Sequence, residues 1–373
     1  YGSLTASKVE TSNSPLAFPR KAANLTIKCS NAYLANVTLP NSTTTIPQAC
    51  ANAGVTTFTL GTINANFPAR ELIETDRQQV RWVVGAKGKF GLGATPVTFE
   101  AYFQRGQNDA DVRLSNMTLN GHYNAAIDAI RDTATGNIVC ASATARSMGC
   151  IPFNVFSGTP VTMEQFRWMA PAAGPYQLNV FKQDAASVSF NLAPFSTWAG
   201  EVSIAFGGEW RKESYVTVAD PYGNGVTAAT PNTSEYPVDG TLNTAGTNWF
   251  AGNFKNGSGS FSVKEAFLEL GVPLANSEAI GKIDLNLGGR IADYSTAGSA
   301  TTWKLGASWT TPLDGLRVRG VVSRDIRAPN LNDLFAPVTS ATQNVTNRAT
   351  GGNVQVVATA IGNPDLKPEV GKT

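Results

Sequence analysis

Apolar and polar residues alternate along successive segments of this chain, and this alternation limits the possible folds more than any other feature. It is clearest in three consecutive segments between Gly281 and Asp325. Their apolar positions are Ile283, Leu285, Leu287 and Ile291, then Trp303, Leu305, Ala307 and Trp309, then Leu316, Val318, Gly320 and Val322. Because successive side chains of a strand point to opposite faces, each segment predicts a strand with one apolar face and one charged or polar face.

Such strands suit either a soluble sandwich, whose apolar face lies in the core, or a membrane barrel, whose apolar face meets lipid. Charged residues make up 15% of the 373 residues, below the roughly 25% of ordinary soluble proteins. No apolar run approaches the ~18 residues that a spanning helix needs. Four tryptophans lie on apolar faces, which predicts interfacial girdles in a barrel or core positions in a sandwich: Trp82, Trp210, Trp303 and Trp309.

The connections between strand candidates alternate in length. Short links lie near 91–95, 193–196, 275–280 and 311–315, and long loops near 13–75, 108–175, 219–259 and 326–366. The link at 294–299 is short where a long one is due. We count about ten strands, and this alternation is typical of outer-membrane barrels. One short helix is predicted within the second long loop, from Tyr123 to Arg131.

Four cysteines form two local pairs, Cys29 with Cys50 and Cys140 with Cys150, each within a polar stretch of a long loop. Neither pair has zinc-ligand spacing. We predict two disulfides, which require an oxidising compartment such as the periplasm or cell surface. Four reduced, buried thiols are the alternative.

Charge and histidine content exclude several classes of protein. A net charge of +2 without a Lys/Arg cluster predicts no nucleic-acid partner. The single histidine, His122, argues against a histidine-based metal site or catalytic triad. No paired carboxylates, nucleophile elbow or phosphate loop is recognisable. We therefore predict no catalytic residues, no metal, no cofactor and no enzymatic activity.

Three motifs resemble segments of one family. They are EAFLELGVPL at Glu265–Leu274, SRDIRAPNLNDLF at Ser323–Phe335 and GNPDLKPE at Gly362–Glu369. In order and spacing they are similar to segments of TonB-dependent outer-membrane receptors. Looser matches are Phe206–Glu213 and Gly149–Phe156, the second being typical of large proteobacterial members. The resemblance covers about residues 76–373.

The resemblance implies an all-β, antiparallel transmembrane barrel of 22 strands that is filled by a plug. It implies TonB-driven uptake of a small, scarce nutrient, a ferric siderophore, an oligosaccharide or cobalamin, across the bacterial outer membrane. TonB, through the plug and TonB box, and outer-membrane lipid are the implied partners. Because no plug, TonB box or terminal aromatic strand is recognised and both ends look cut, we expect residues 1–373 to form a partial barrel domain. The alternative is a surface or soluble β protein that binds glycans or other cells.

Two sets of residues are candidate ligand contacts. Alternation predicts that one basic group faces the barrel lumen, formed by Arg290, Lys304, Arg317 and Arg319. Asp284 and Asp325 are predicted to lie near it. It could steer an anionic ligand, or it could be a cross-strand charge ladder. The second set contains Trp249 and Phe250, predicted to be exposed aromatics of the third long loop, and Arg327 and Asn330 of the RAPN motif. Loop packing and a strand-to-loop corner are the structural alternatives.

Overall fold

The computed structural model describes residues 1–14, 20, 22–349 and 351–373. Within them, long strands form one ten-stranded sheet in which every strand pairs antiparallel with its neighbours in sequence. The strands are β1 (Gly2–Asn13), β2 (Leu72–Leu92), β3 (Thr95–Ser115), β4 (Tyr176–Leu192), β5 (Ser203–Ala219), β6 (Gly257–Ser277), β7 (Gly281–Tyr294), β8 (Gly298–Thr310), β9 (Arg317–Arg327) and β10 (Glu369–Lys372). The predicted ten-stranded meander is confirmed.

The two faces of this sheet differ in chemistry, as the alternation predicts. The register places one set of apolar side chains on a common face, among them Val84, Phe206, Leu268, Leu305 and Val322. These side chains remain well exposed; Val84, for example, is 60% exposed. In the described part of the chain no second sheet covers this apolar face. A soluble sandwich would bury it, so the sheet has the surface of a lipid-facing wall.

The strands are longer than a membrane span requires. β2, β3 and β6 each contain 21 residues, roughly 69 Å at 3.3 Å per residue, whereas about 9–11 residues cross a bilayer. On β3, β4 and β5 the apolar band gives way to a row of charges, in which Asp184 opposes both Arg105 and Lys212. Beyond that row the same face is largely polar on β1, β2 and β3, so the sheet extends past the lipid.

Short and long connections alternate along the sheet. One end carries the short links 93–94, 193–202, 278–280 and 311–316, and the other carries the long loops 14–71, 116–175, 220–256 and 328–368 together with the short link 295–297. The second loop starts at 116 and not at the predicted 108. In residues 108–115 the apolar side chains, Ala110, Val112 and Leu114, lie on the face opposite the apolar band, and Val112 and Leu114 pack in the cluster under the long loops. Their backbone still pairs with β2 and β4. Likewise β5 starts at Ser203 because Ser196–Thr197 and Gly200–Glu201 form a small hairpin within the preceding link.

The long loops contain their own secondary structure. Paired short strands are Ala22–Lys28 with Thr57–Thr62, Ala129–Arg131 with Ile138–Cys140, and Thr339–Thr346 with Asn353–Ala360. A 3-10 helix spans Ala32–Leu34, and the α-helices are α1 (Ile46–Ala53), α2 (Asn120–Ile127), α3 (Ala143–Ser147), α4 (Met163–Met169), α5 (Pro221–Asn224) and α6 (Leu331–Phe335). The predicted Tyr123–Arg131 helix is therefore shifted, because Ala129–Arg131 pairs as a strand. None of these helices, nor any other in the described residues, is long and apolar enough to cross a membrane.

Candidate functional site

The described residues of three long loops, 14–71, 116–175 and 220–256, pack together at one end of the sheet into a folded structure, here called the outer-loop assembly. Two buried clusters hold it together. The first joins the first two loops and contains Ile27, Leu34, Phe67, Tyr123, Ala126, Ile127, Phe153, Val161, Phe166, Met169 and Ala170. The second joins the end of β3 to the second and third loops through Leu114, Met117, Leu119, Tyr222, Val226, Tyr236 and Trp249. Since each fully buried large apolar side chain contributes about 1.5–3 kcal/mol, these loops present a pre-formed surface.

Arg20 links all three loops from a buried position. Its Nη1 donates to Thr118 Oγ1 at 2.6 Å and its Nη2 to Asn120 Oδ1 at 3.1 Å. The guanidinium carbon lies 3.9 Å from the ring centroid of Tyr123 and 4.7 Å from that of Phe250. Burial lowers the pKa of Arg20 to about 10, so the side chain remains a cation at neutral pH. A desolvated cation–π contact stabilises by about 2 kcal/mol.

Asp220 organises the third loop. It is fully buried, and its Oδ1 accepts hydrogen bonds from Tyr222 N at 3.0 Å, Gly223 N at 2.8 Å and Trp249 Nε1 at 2.7 Å. Its Oδ2 has no hydrogen-bond partner within the described chain. Burial raises the pKa of Asp220, against the opposing effect of these donors. The carboxylate therefore caps α5 and anchors the indole at a desolvation cost.

The prediction that Trp249 is exposed is wrong. Its side chain is completely buried, with the ring 5.4 Å from that of Tyr222. Trp249 cannot stack on a ligand in this conformation, because its indole N–H is held by Asp220 and its faces pack in the second cluster. Phe250 is half-buried against Arg20, so it too packs the loops together.

His122 connects the second loop to the third. Its Nδ1 lies 2.6 Å from the Trp168 carbonyl oxygen and its Nε2 lies 2.7 Å from Asp239 Oδ2, while the imidazole stacks on the Trp168 ring at 4.3 Å. Both partners are acceptors, so both contacts are hydrogen bonds only when each ring nitrogen carries a proton. Burial works to raise the pKa of Asp239, but hydrogen bonds from His122 and Thr241 outweigh it and lower that pKa.

Both predicted disulfides are formed. Cys29–Cys50 closes a 21-residue separation in the first loop, and Cys140–Cys150 closes a 10-residue separation in the second. The reduced-thiol alternative is thereby excluded. Each bond restricts the unfolded loop and so adds to the stability of the assembly.

A line of hydrogen bonds, the polar ladder, crosses the other face of β2 to β5. Arg81 Nη2 donates to Gln104 Oε1 at 2.5 Å, Gln104 Nε2 to Gln183 Oε1 at 3.1 Å, and Gln183 Nε2 to Glu213 Oε1 at 3.1 Å. Arg211 forms an ion pair with the end of the ladder, its Nε lying 3.3 Å from Glu213 Oε1 without a hydrogen bond. Each amide has donor and acceptor capacity left over. The alternation along β3 assigns Gln104 to this face, but only the register of the strands shows that Arg81 and Gln183 are its hydrogen-bond partners.

The family of the chain follows from sequence comparison. The family described as "TonB dependent receptor-like, beta-barrel" matches residues 51–373. The chain belongs to this family. No curated protein matches it. The fold of this TonB-dependent receptor domain is therefore that of an outer-membrane barrel wall, as the motifs predicted.

Solved structures similar to this receptor domain are siderophore receptors. A ferric enterobactin receptor mutant from Pseudomonas aeruginosa is 14% identical with a TM-score of 0.36, covering 81% of this chain and 39% of that one. The siderophore receptor PirA from Pseudomonas aeruginosa is 13% identical, with a TM-score of 0.31 and coverages of 80% and 44%. PirA from Acinetobacter baumannii is 13% identical, with a TM-score of 0.32 and coverages of 80% and 46%. The chain thus spans less than half the length of these proteins.

The predicted basic group lies on the same face of the receptor wall as the polar ladder, but the structure divides it. Arg290 pairs with Glu265 at 3.1 Å, and both line a cavity of about 330 Å³ with Lys304 and Asp325. Arg317 lines a second cavity, of about 460 Å³, with Lys282 and Asp284. Arg319 lies opposite Ser308 and lines neither of these two cavities. Positive side chains and carboxylates alternate along this face, which is the arrangement expected of a cross-strand charge ladder.

The RAPN motif forms a strand-to-loop corner in this receptor domain. Arg327 Nη1 pairs with Glu369 Oε1 at 3.0 Å and its Nη2 with Asp333 Oδ2 at 3.3 Å. Asn330 caps α6, accepting from Asp333 N at 2.9 Å while Asp333 Oδ2 accepts from Asn330 N. These contacts give both residues structural partners. Among the described residues, no group of three or more His, Cys, Asp or Glu is placed to hold a metal ion.

Proposed function

We propose that this chain is part of the wall of a transporter that takes up a scarce nutrient across the bacterial outer membrane. The observation that carries the proposal is the ten-stranded meander with an exposed apolar face and a hydrogen-bonded polar face, in a chain that belongs to the TonB-dependent receptor family. Lipid meets the apolar face, and the polar face lines the path of the ligand.

The proposal places the long-loop end outside the cell. Outer-membrane barrels carry short turns on the periplasmic side and longer loops on the outer side. The two loop disulfides agree with this orientation, because disulfides persist in oxidising compartments. The outer-loop assembly then captures the ligand, and TonB, acting through a plug, drives its passage.

The ligand is a ferric siderophore or an oligosaccharide. Loops on a rigid scaffold are where binding residues concentrate, and the buried clusters make these loops rigid. Pre-organisation of this kind lowers the entropic cost of binding. The chain acts as a binding and transport protein and not as an enzyme.

Uptake measurements test the proposal directly. The complete gene product that contains this chain is produced in a Gram-negative host that lacks its own siderophore and oligosaccharide receptors, with the tonB gene intact or deleted. We expect uptake of radiolabelled ferric siderophore or oligosaccharide in the first strain and background uptake in the second. Equal uptake in both strains, or no uptake of any ligand by a receptor shown to be folded at the cell surface, contradicts the proposal.

A further inference from the structure

The third loop of the outer-loop assembly borders an open cavity of about 660 Å³ beside the ends of β4, β5 and β6. This volume is within the range of ~300–1,000 Å³ found for small-ligand sites. The cavity is lined by Tyr176, Ala219, Pro221, Asn224, Gly225, Thr227, Ala229, Thr230, Pro231, Thr233, Glu235, Tyr236, Thr244 and Asn256. Hydroxyl and amide side chains dominate its polar lining.

Two asparagines of this cavity have fixed orientations. Asn256 Oδ1 accepts a hydrogen bond from Ala219 N at 2.8 Å, and Asn224 Oδ1 accepts one from Asn256 N at 3.0 Å. With the oxygens held by backbone N–H groups, each Nδ2 remains to donate elsewhere. The two amides are therefore pre-oriented donors, which lowers the entropic cost of binding an acceptor.

Three threonines are oriented in the same way. Thr230 Oγ1 accepts from Thr227 N at 2.9 Å, Thr227 Oγ1 from Ala229 N at 3.3 Å, and Thr233 Oγ1 from Tyr236 N at 3.0 Å. A hydroxyl has one donor and two acceptor positions. Thr227 and Thr230 also share a hydroxyl–hydroxyl hydrogen bond at 3.5 Å. One of their two O–H groups, and that of Thr233, therefore remains to donate to a ligand.

The charge of the cavity selects against anions. Glu235 is the charged residue of its lining, and no lysine or arginine is among the described residues that line it. Lys255, in the same loop, has its Nζ bound to the carbonyl oxygens of Ala245 at 2.7 Å and Gly246 at 3.3 Å. Arg113 lies beside the cavity, over the Tyr176 ring at 5.5 Å, but it is paired with Asp111 at 3.0 Å. An anionic ligand would therefore meet the Glu235 carboxylate, while the neighbouring cations are engaged by other groups.

We propose that this cavity binds the sugar rings of a neutral oligosaccharide, an inference that rests on the proposed function and chooses between its two ligand classes. Sugar hydroxyls accept from the asparagine amides and threonine hydroxyls and donate to the Glu235 carboxylate. Tyr176, which is half-buried at the cavity wall, provides an aromatic ring against which the C–H face of a sugar packs, since the face of such a ring is electronegative. Tyr236 is only 6% exposed and supports the Tyr176 ring at 6.1 Å between centroids.

Calorimetric titration of the purified complete receptor tests this site. An array of neutral oligosaccharides identifies the tightest ligand, which is then titrated into the wild type and into Glu235→Gln and Thr244→Val. Glu235→Gln removes a charged acceptor, so we expect about tenfold weaker binding. Thr244→Val keeps the shape and removes one hydroxyl, so we expect a loss of about threefold to tenfold. Glu164→Gln, an exposed carboxylate on α4 outside the cavity, serves as the matched control and should leave the affinity unchanged.

The sign of the Glu235→Gln effect separates the two ligand classes. For an anion such as a ferric tris-catecholate complex, removing the carboxylate relieves repulsion and strengthens binding at this cavity. Failure of the wild type to bind any neutral oligosaccharide, tighter binding of the ferric complex by Glu235→Gln, or oligosaccharide binding that neither variant weakens would each overturn the site. If any of these results is found together with TonB-dependent uptake, the site is refuted but the proposed function is not. If the protein binds oligosaccharide but shows no TonB-dependent uptake, the proposed function is refuted but the site is not.

Discussion

Replacing Asp220 tests how the third loop is held in place. In Asp220→Ala, the N–H groups of Tyr222 and Gly223 and the indole N–H of Trp249 all lose their acceptor. An unsatisfied buried donor costs about 1–3 kcal/mol, or roughly 3–9 kcal/mol for three. Removing the buried carboxylate also removes its desolvation penalty, which offsets several kcal/mol of this loss. We therefore expect a net loss of roughly 3 kcal/mol in the free energy of loop opening.

Asp220→Asn is the matched comparison. The asparagine oxygen still accepts from the same donors, and the buried charge is gone, so we expect a loop-opening free energy within about 1 kcal/mol of the wild type or above it. Burial raises the pKa of Asp220 above its ordinary value of 3.8. The folded loop thus holds this proton more strongly than the open loop does, and the Asp220 contribution falls as pH rises from about 3.8 to the raised pKa. The asparagine variant should lack that pH dependence.

Hydrogen–deuterium exchange of the complete receptor in lipid nanodiscs measures these differences. Peptides from 220–256 should exchange roughly a hundredfold faster in Asp220→Ala than in the wild type, while peptides from the first loop serve as the internal reference. Unchanged exchange in the alanine variant would refute the role given to Asp220. Equal acceleration in both variants would show that charge, and not the accepted hydrogen bonds, holds the loop.

Three further predictions concern the wall and the loops. Val188→Arg, on the apolar face and four residues from Asp184, should destabilise the folded wall in lipid vesicles by about 2–4 kcal/mol, whereas Ser189→Arg, one residue away on the polar face, should change its stability little; equal losses in urea unfolding would contradict the assignment of faces. Replacing Cys140 and Cys150 by serine should destabilise their loop by about 3 kcal/mol on the chain-entropy account, seen as faster limited proteolysis between residues 116 and 175 that a reductant reproduces in the wild type. Since hydrogen bonds lower the pKa of Asp239 below 3.8, its stabilising contribution is present above that pH and is lost as pH falls through the lowered pKa; the protection factors of the α2 amides, corrected for intrinsic exchange at each pH, should fall in that range, and Asp239→Asn should abolish the fall.

The wall of the receptor was predictable because lipid and water impose a simple pattern on a strand. β4 spans Tyr176–Leu192, which is the segment left between the predicted long loop 108–175 and the predicted short link 193–196. Prediction failed at residues 108–115, because the apolar row of β3 changes face there: Val97, Phe99, Ala101 and Phe103 face one side, whereas Ala110, Val112 and Leu114 face the other and pack under the loops. Backbone pairing continues through this change, and pairing is a property of neighbouring strands that one segment does not reveal.

The candidate sites were less predictable because their contacts are distant in sequence. Trp249 looked exposed in its polar loop, yet its acceptor, Asp220, lies 29 residues away. Gln104 and Gln183 are 79 positions apart and meet because β3 and β4 pair antiparallel across the long loop 116–175. Arg20 contacts Asn120 across 100 positions. Alternation gives the face of each side chain but not its partner across the sheet or between loops.

The row formed by Arg105, Asp184 and Lys212 fixes the depth at which the receptor sits. Sinking the wall by one pair of residues, roughly 7 Å along a strand, would carry these three charges into hydrocarbon. Raising it would lift Phe103 and Trp210, the adjacent members of the apolar band, into water. Displacement in either direction is opposed, so the height of the outer-loop assembly above the bilayer is set by three side chains of the wall, outside the loops in sequence.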